Sequence, residues 1–150
     1  MATILFYEKP GCINNEKQKK LLRASGHTVE EVDILNVAIN ADELLLFFGE
    51  MSVWKWFNRA APSVKSGDVV PENISADQAI PMMLADRLLI RRPLMIIDGK
   101  RYCGFDIPVI DRTIGLCASP GEESTVINLR KDDLSTCPRI STTSCDAKGE

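Results

Sequence analysis

Apolar and polar positions change rhythm several times along the chain, and each rhythm predicts an element. Thr3-Ile-Leu-Phe-Tyr7 is a β-branched and aromatic run that stops at Lys9-Pro10-Gly11. It predicts a buried strand entering a turn. Asn14 to Ala24 is rich in Lys, Glu, Gln and Leu, which are good helix formers, and Gly26 supplies a stop. Thr28 to Ile34 predicts a second strand. Strand, helix and strand at this spacing form a βαβ unit with a right-handed crossover. Ala41 to Phe48 and Val53 to Phe57 predict short apolar helical pieces. Ala60 to Asn73 is interrupted by prolines and a glycine and predicts irregular chain.

Ser75-Ala-Asp-Gln78 is a capping-box pattern ahead of an apolar run, so a helix should extend to about Asp86. Pro81 inside it removes a hydrogen bond and predicts a kink or a late start. Pro93 to Ile97, Asp98-Gly99 and Lys100 to Cys103 predict a hairpin with a type I′ turn. A last helix should start near Asp106 or Pro108 and end by Gly115. After Cys117 the residues are mostly Ser, Thr, Gly, Pro, Asp and Glu. Such a stretch buries too little apolar surface to offset its ordering entropy. The reading is one domain, 1–118, and a disordered C-terminal tail, 119–150. A parallel βαβ unit followed by an antiparallel hairpin predicts an α/β, thioredoxin-like fold, a four-stranded mixed sheet with helices on both faces.

Composition narrows the function classes. At 150 residues and 45% hydrophobic content the chain can build one core but not two comfortable ones. With 18 basic and 21 acidic residues the formal charge is −3, so no basic face is implied and nucleic acid is a poor partner. The short run Lys17 to Lys20 is expected to solvate a helix face. No segment approaches a membrane span, and the first residues lack a basic leader, so a cytoplasmic location is expected. The five cysteines, Cys12, Cys103, Cys117, Cys137 and Cys145, include no C-x-x-C pair, and there is one histidine. Zinc spacing is therefore absent, no metal is expected, and the cysteines read as thiols. Cys137 and Cys145 read as incidental, and Cys103 as a buried structural thiol. His27, after a helix-stop glycine, is expected to be exposed in a turn. Trp54, Trp56 and Phe57 read as core or surface packing.

Cys12 carries the candidate chemistry. It follows a strand and a Pro-Gly turn and stands at a helix start. Free N–H groups and the positive dipole end there favour a thiolate and form a seat for an oxyanion. The alternative is a helix-capping cysteine without chemistry, and spacing alone leaves both open. Asn14 and Asn15 can cap the helix or donate to the same anion. Arg92 precedes Pro93, the expected cis-proline, at the start of the third strand. Its guanidinium can reach toward Cys12 and hold an oxyanion in a planar fork; alternatively Arg91 and Arg92 are a surface pair.

Tyr7-Glu-Lys-Pro-Gly-Cys-Ile-Asn-Asn15, Ser25-Gly26-His27 and Met83-Leu-Ala-Asp-Arg-Leu-Leu-Ile-Arg-Arg-Pro-Leu94 together resemble the arsenate reductase (ArsC) family. Within it they resemble the nitrogenase-associated branch. The resemblance covers about residues 2–116 and implies a thioredoxin-like core with a helical insertion at roughly 41–86. It implies that Cys12 matches the cysteine that attacks arsenate in the family's reductases. It implies no bound cofactor, with glutathione as the reductant and glutaredoxin as its partner in reducing the arsenic adduct. Arg92 matches the arginine before the family's proline. A second family arginine falls near Asn58 and Arg59, with Arg59 taken as anion-binding, and a third falls at Gly104. The resemblance implies an accessory protein of nitrogen fixation with thiol-based redox or oxyanion chemistry at Cys12. Its partners would be glutaredoxin or nitrogen-fixation proteins. The alternatives are a glutaredoxin-linked arsenate reductase and a non-catalytic protein-binding module.

Overall fold

In the computed structural model, which describes residues 1–131, the first apolar run forms β1 (Thr3–Glu8). After α1 (Ile13–Ala24), β2 (Thr28–Asp33) returns parallel to β1. β3 (Leu94–Ile97) and β4 (Lys100–Cys103) form the hairpin. Asp98 and Gly99 have φ of 51° and 79°, the two positive values a type I′ turn requires. β3 lies antiparallel to β1, and the sheet runs β2-β1-β3-β4. This is the expected thioredoxin-like mixed sheet.

Strand alternation assigns the two faces. Ile4 and Phe6 of β1 and Met95 and Ile97 of β3 pack with Leu21 and Leu22 of α1. Leu94 enters the opposite core, with Ile34, Leu44, Phe48, Trp56 and Met83. That second core belongs to the insertion between β2 and β3. It holds α2 (Ala41–Phe48), α3 (Pro62–Lys65) and α4 (Ala76–Ala85), joined by 3-10 turns at Val53–Trp56, Pro71–Asn73 and Arg87–Leu89. Phe48 stacks on Trp56 with ring centroids 4.6 Å apart, and Tyr7 meets Phe47 edge-on at 5.3 Å. Phe57 bridges Ile90 antiparallel, which closes the insertion on itself just before β3.

The late start expected at Pro81 does not occur. α4 begins at Ala76 and runs through Pro81 to Ala85, and Gln78 Oε1 accepts from Ser75 N–H at 3.0 Å, as the capping box predicts. Pro81 withholds one hydrogen bond, while buried Ala79, Ile80 and Met83 anchor the helix around it.

α5 (Ile107–Ile114) starts at Asp106, whose side chain accepts from Val109 N–H, and ends at Gly115. The tail expected from residue 119 is corrected over its first part, because Glu123–Lys131 forms α6. Val126 is buried and Leu129 packs on the first core. Ser119 N–H donates to Ala24 O at 2.8 Å, and Arg130 pairs with Asp111 at 3.2 Å. Average polarity hides this short amphipathic spacing of i and i+3. Residues 132–150, with Cys137 and Cys145, lie outside the described residues. Among the described residues no helix is long and apolar enough to cross a membrane.

Candidate active site

The loop from β1 to α1 is built to present Cys12. Gly11 has φ of 86°, a left-handed value that favours glycine. Cys12 N–H donates to Lys9 O at 3.1 Å, and Cys12 O accepts from Glu16 N–H at 3.1 Å as the helix begins. Cys12 thus occupies the N-cap position of α1 in an extended conformation. Its side chain borders the positive end of the helix dipole. Lys9 N–H also donates to Asn15 Oδ1 at 3.1 Å, and Asn15 Nδ2 donates to Gln18 Oε1 at 2.8 Å. Asn15, expected as a cap or an anion donor, therefore holds the loop through both ends of its amide.

The sheet register brings the second feature to the same place. Tyr7 pairs with Leu94, so the Arg92–Pro93 peptide lies beside the end of β1, where the Cys12 loop departs. That peptide is cis. Gly104 N–H donates to Pro93 O at 2.8 Å and extends the β3–β4 ladder by one step.

Cys12, Asn14, Asn15, Arg59 and Arg92 all line one cavity of about 470 Å³. The sequence pattern did not bring in Lys55, Lys65 and Arg91, which line it too. Five cationic side chains thus face the cavity, and no Asp or Glu is among its lining residues. A concave wall of one charge sign attracts anions and concentrates their field. Cys12 is only 1% exposed and Arg92 8%, so both are buried in the cavity wall rather than on the open surface. The lining mixes polar and cationic residues with the apolar Trp54, Phe57 and Ala60.

Arg59 and Asn58, the two positions left open in the insertion, both border this cavity. Asn58 serves the backbone: Nδ2 donates to Leu88 O at 3.2 Å and Oδ1 accepts from Ala60 N–H at 3.0 Å. Arg59 is paired with Glu72 at 2.6 Å and lies 5.5 Å from the Trp54 ring centroid. The Arg59 hydrogen bond holds the Glu72 carboxyl below the usual range. Arg59 therefore reaches the cavity with part of its charge already answered. Trp54 is half-exposed on the cavity wall, whereas Trp56 and Phe57 are core.

Gly104 stands where the resemblance places a third arginine. Its φ is 88°, and a Cβ there would lie 2.9 Å from Arg91 Nε and 3.1 Å from Nη2. The Arg91 side chain lies over this glycine. Cys103 behind it donates from Sγ to Arg91 O at 3.8 Å. Cys103, expected as a buried structural thiol, is half-buried as a residue, and desolvation of its thiol pushes it up to about 12, which disfavours the thiolate.

Two expectations about polar residues are corrected. Lys20 is exposed, but Lys19 is 2% exposed and turned inward. Its Nζ lies 2.8 Å from Glu8, 2.9 Å from Glu16 and 2.8 Å from Glu31. Burial alone would lower the Lys19 pKa, but the hydrogen bonds to Glu31, Glu8 and Glu16 hold it above the usual lysine value. Burial raises the Glu8 pKa despite Lys19, and Glu31 and Glu16 add to that rise. The Lys19 and Arg23 hydrogen bonds lower that of Glu31. His27, expected in an exposed turn, is buried. Its Nδ1 accepts from Ala2 N–H at 2.9 Å, and its Nε2 faces Gly115 O at 2.7 Å as a donor. It ties the chain start to the end of α5. Among the described residues, no three His, Cys, Asp or Glu side chains gather as a metal site would need.

A thioredoxin-like sheet, a helix-start cysteine and a cis-proline strand beside it define a class of thiol proteins. Within that class, the ArsC family model matches residues 7–112, and the chain belongs to the ArsC family. It is 46% identical over 143 residues to an uncharacterized 15.7 kDa protein in the draG 3′ region of Rhodospirillum rubrum, covering 95% of this chain and 92% of that one. It is 25% identical over 114 residues to an arsenate reductase of Acidiphilium multivorum, covering 74% and 81%. The solved arsenate reductase of Vibrio cholerae shares the fold, with a TM-score of 0.60 at 18% identity over 77% of this chain and 98% of that one.

Proposed function

We propose that this protein is a cytoplasmic accessory factor of nitrogen fixation that acts through Cys12 as a thiolate nucleophile on a bound oxyanion. The observation that carries the chemistry is a buried Cys12 in the wall of a cavity lined by five cations and no carboxylate. The helix dipole and the positive charge of Arg92 in the same cavity wall both favour a thiolate over a thiol. An oxyanion seated on the helix N–H groups would lie against the sulfur. Attack forms a sulfur–oxyanion bond and releases hydroxide, which leaves as water once protonated. Reduction of the adduct then needs two electrons from external thiols, for which glutathione with glutaredoxin is the fitting class. The link to nitrogen fixation draws on the resemblance to the nitrogenase-associated branch and on the relative encoded in the draG 3′ region.

A glutaredoxin-linked arsenate reductase is the second reading, favoured by the relative that carries that name. Arsenate-dependent turnover with glutathione and glutaredoxin, lost in Cys12→Ser, would establish it. The test of the first reading is the alkylation rate of Cys12 against pH, followed peptide by peptide. A midpoint well below the free-thiol value of about 8.5 is expected. An ordinary midpoint, with Cys12→Ser leaving nitrogen fixation intact, would point to a non-catalytic binding module.

A further inference from the structure

We propose that Arg91 supplies a second guanidinium to the anion held beside Cys12, and that Gly104 is the residue that makes room for it. The proposal rests on the oxyanion reading of this cavity. Arg91 and Arg92 are adjacent in sequence and both line the cavity that Cys12 lines. The backbone of Arg91 is fixed from the insertion side, where its N–H donates to Trp56 O at 2.9 Å. Its side chain then folds across Gly104. A Cβ at that position would meet Nε at 2.9 Å, closer than real Cβ atoms approach, and Nη2 at 3.1 Å and Cζ at 3.2 Å, so the guanidinium would have to shift. The left-handed φ of 88° favours a glycine there, and the missing Cβ leaves the space in which the guanidinium lies.

The position of this guanidinium is not explained by an internal partner. Arg59 is answered by Glu72, Arg23 by Glu31 and Arg130 by Asp111. Arg87 donates to Ile34 O and Val37 O. Arg91 has no carboxylate partner among the described residues; Nη1 reaches only Lys55 O, at 3.4 Å. A fork of donors held beside Lys55 and Arg92, with no counter-charge in the lining, raises the energy of the empty cavity. A bound anion relieves it. Two guanidinium forks lining one cavity suit a doubly charged tetrahedral anion over a singly charged one.

The test is protection of Cys12 from iodoacetamide, a neutral reagent, in the full chain at constant ionic strength, read on the Cys12 peptide. Sulfate and perchlorate share a shape and differ in charge. Sulfate is expected to protect the unaltered protein. Arg91→Gln should raise the half-protecting sulfate concentration about tenfold or more, the loss of one charge-assisted contact, and perchlorate protection should change less. Arg91→Lys should recover the charge but only part of the protection. Gly104→Ala should weaken sulfate as Arg91→Gln does, because its Cβ displaces the guanidinium. Equal sulfate protection in the unaltered protein and Arg91→Gln would overturn the role of Arg91 and leave the oxyanion reading standing. If sulfate, phosphate and arsenate all fail to protect the unaltered protein, both fall together.

Discussion

Lys19→Met tests how much the buried charge cluster that joins β1, α1 and β2 contributes to stability. Lys19 joins three elements through its ammonium: Glu8 at the end of β1, Glu16 on α1 and Glu31 on β2. Glu16 and Glu31 are half-exposed, so water takes over their solvation when Lys19 is lost. Glu8 is 5% exposed and has no such recourse. Leaving one buried charge uncompensated typically costs about 3–5 kcal/mol. For a chain of this size that is a fall in Tm of about 6–20 °C. The pH dependence carries the sharper signature. The pKa of Glu8 is already raised in the fold and should rise further without Lys19. A folded-state value above the unfolded one means the native state binds the extra proton, so stability increases as pH falls through that window. The gap between Lys19→Met and the unaltered protein should therefore narrow from pH 7 to pH 5 and be largely recovered in the double variant Lys19→Met/Glu8→Gln. Urea unfolding at each pH measures it. A loss under about 1 kcal/mol at pH 7, or a gap independent of pH, would refute the reasoning.

Other outcomes follow from single contacts. His27→Ala leaves Ala2 N–H and Gly115 O without their partner and should cost about 1–3 kcal/mol in urea unfolding. Val126→Asp should release α6 from the first core, losing about 1.5–3 kcal/mol of apolar burial and exposing the chain near residue 120 to proteolysis. With its thiol pushed up to about 12 by burial, Cys103 should resist iodoacetamide at pH 8 in the native protein, while denaturation makes it reactive. Equal rates in native and unfolded protein would contradict its burial.

The elements that frame the site were legible in the sequence. Lys9-Pro10-Gly11 ahead of Cys12 breaks the strand and starts the helix through backbone preferences that act over a few residues. The same holds for Asp98-Gly99 and for Ser75 with Gln78. Arg92 and Pro93 could be paired with Cys12 only because the hairpin pattern implied an antiparallel neighbour for β1. What the chain did not disclose was which charges the fold turns inward. Nothing in the run Lys17 to Lys20 marks Lys19 as buried, because its partners come from two strands as well as its own helix. Lys55, Lys65 and Arg91 look like ordinary surface cations until the insertion closes over the helix start. The polar average after Cys117 likewise masked α6, whose apolar contacts are few but land on an existing core.

Local conformation follows from sterics and hydrogen bonds between near neighbours, so the sequence by itself determined the order of the four strands, the hairpin turn and the helix-start cysteine. The sign and shape of the cavity were decided only by tertiary packing. Burial, charge compensation and the free space above Gly104 depend on groups that are distant in the chain and meet only when both faces of the sheet are covered.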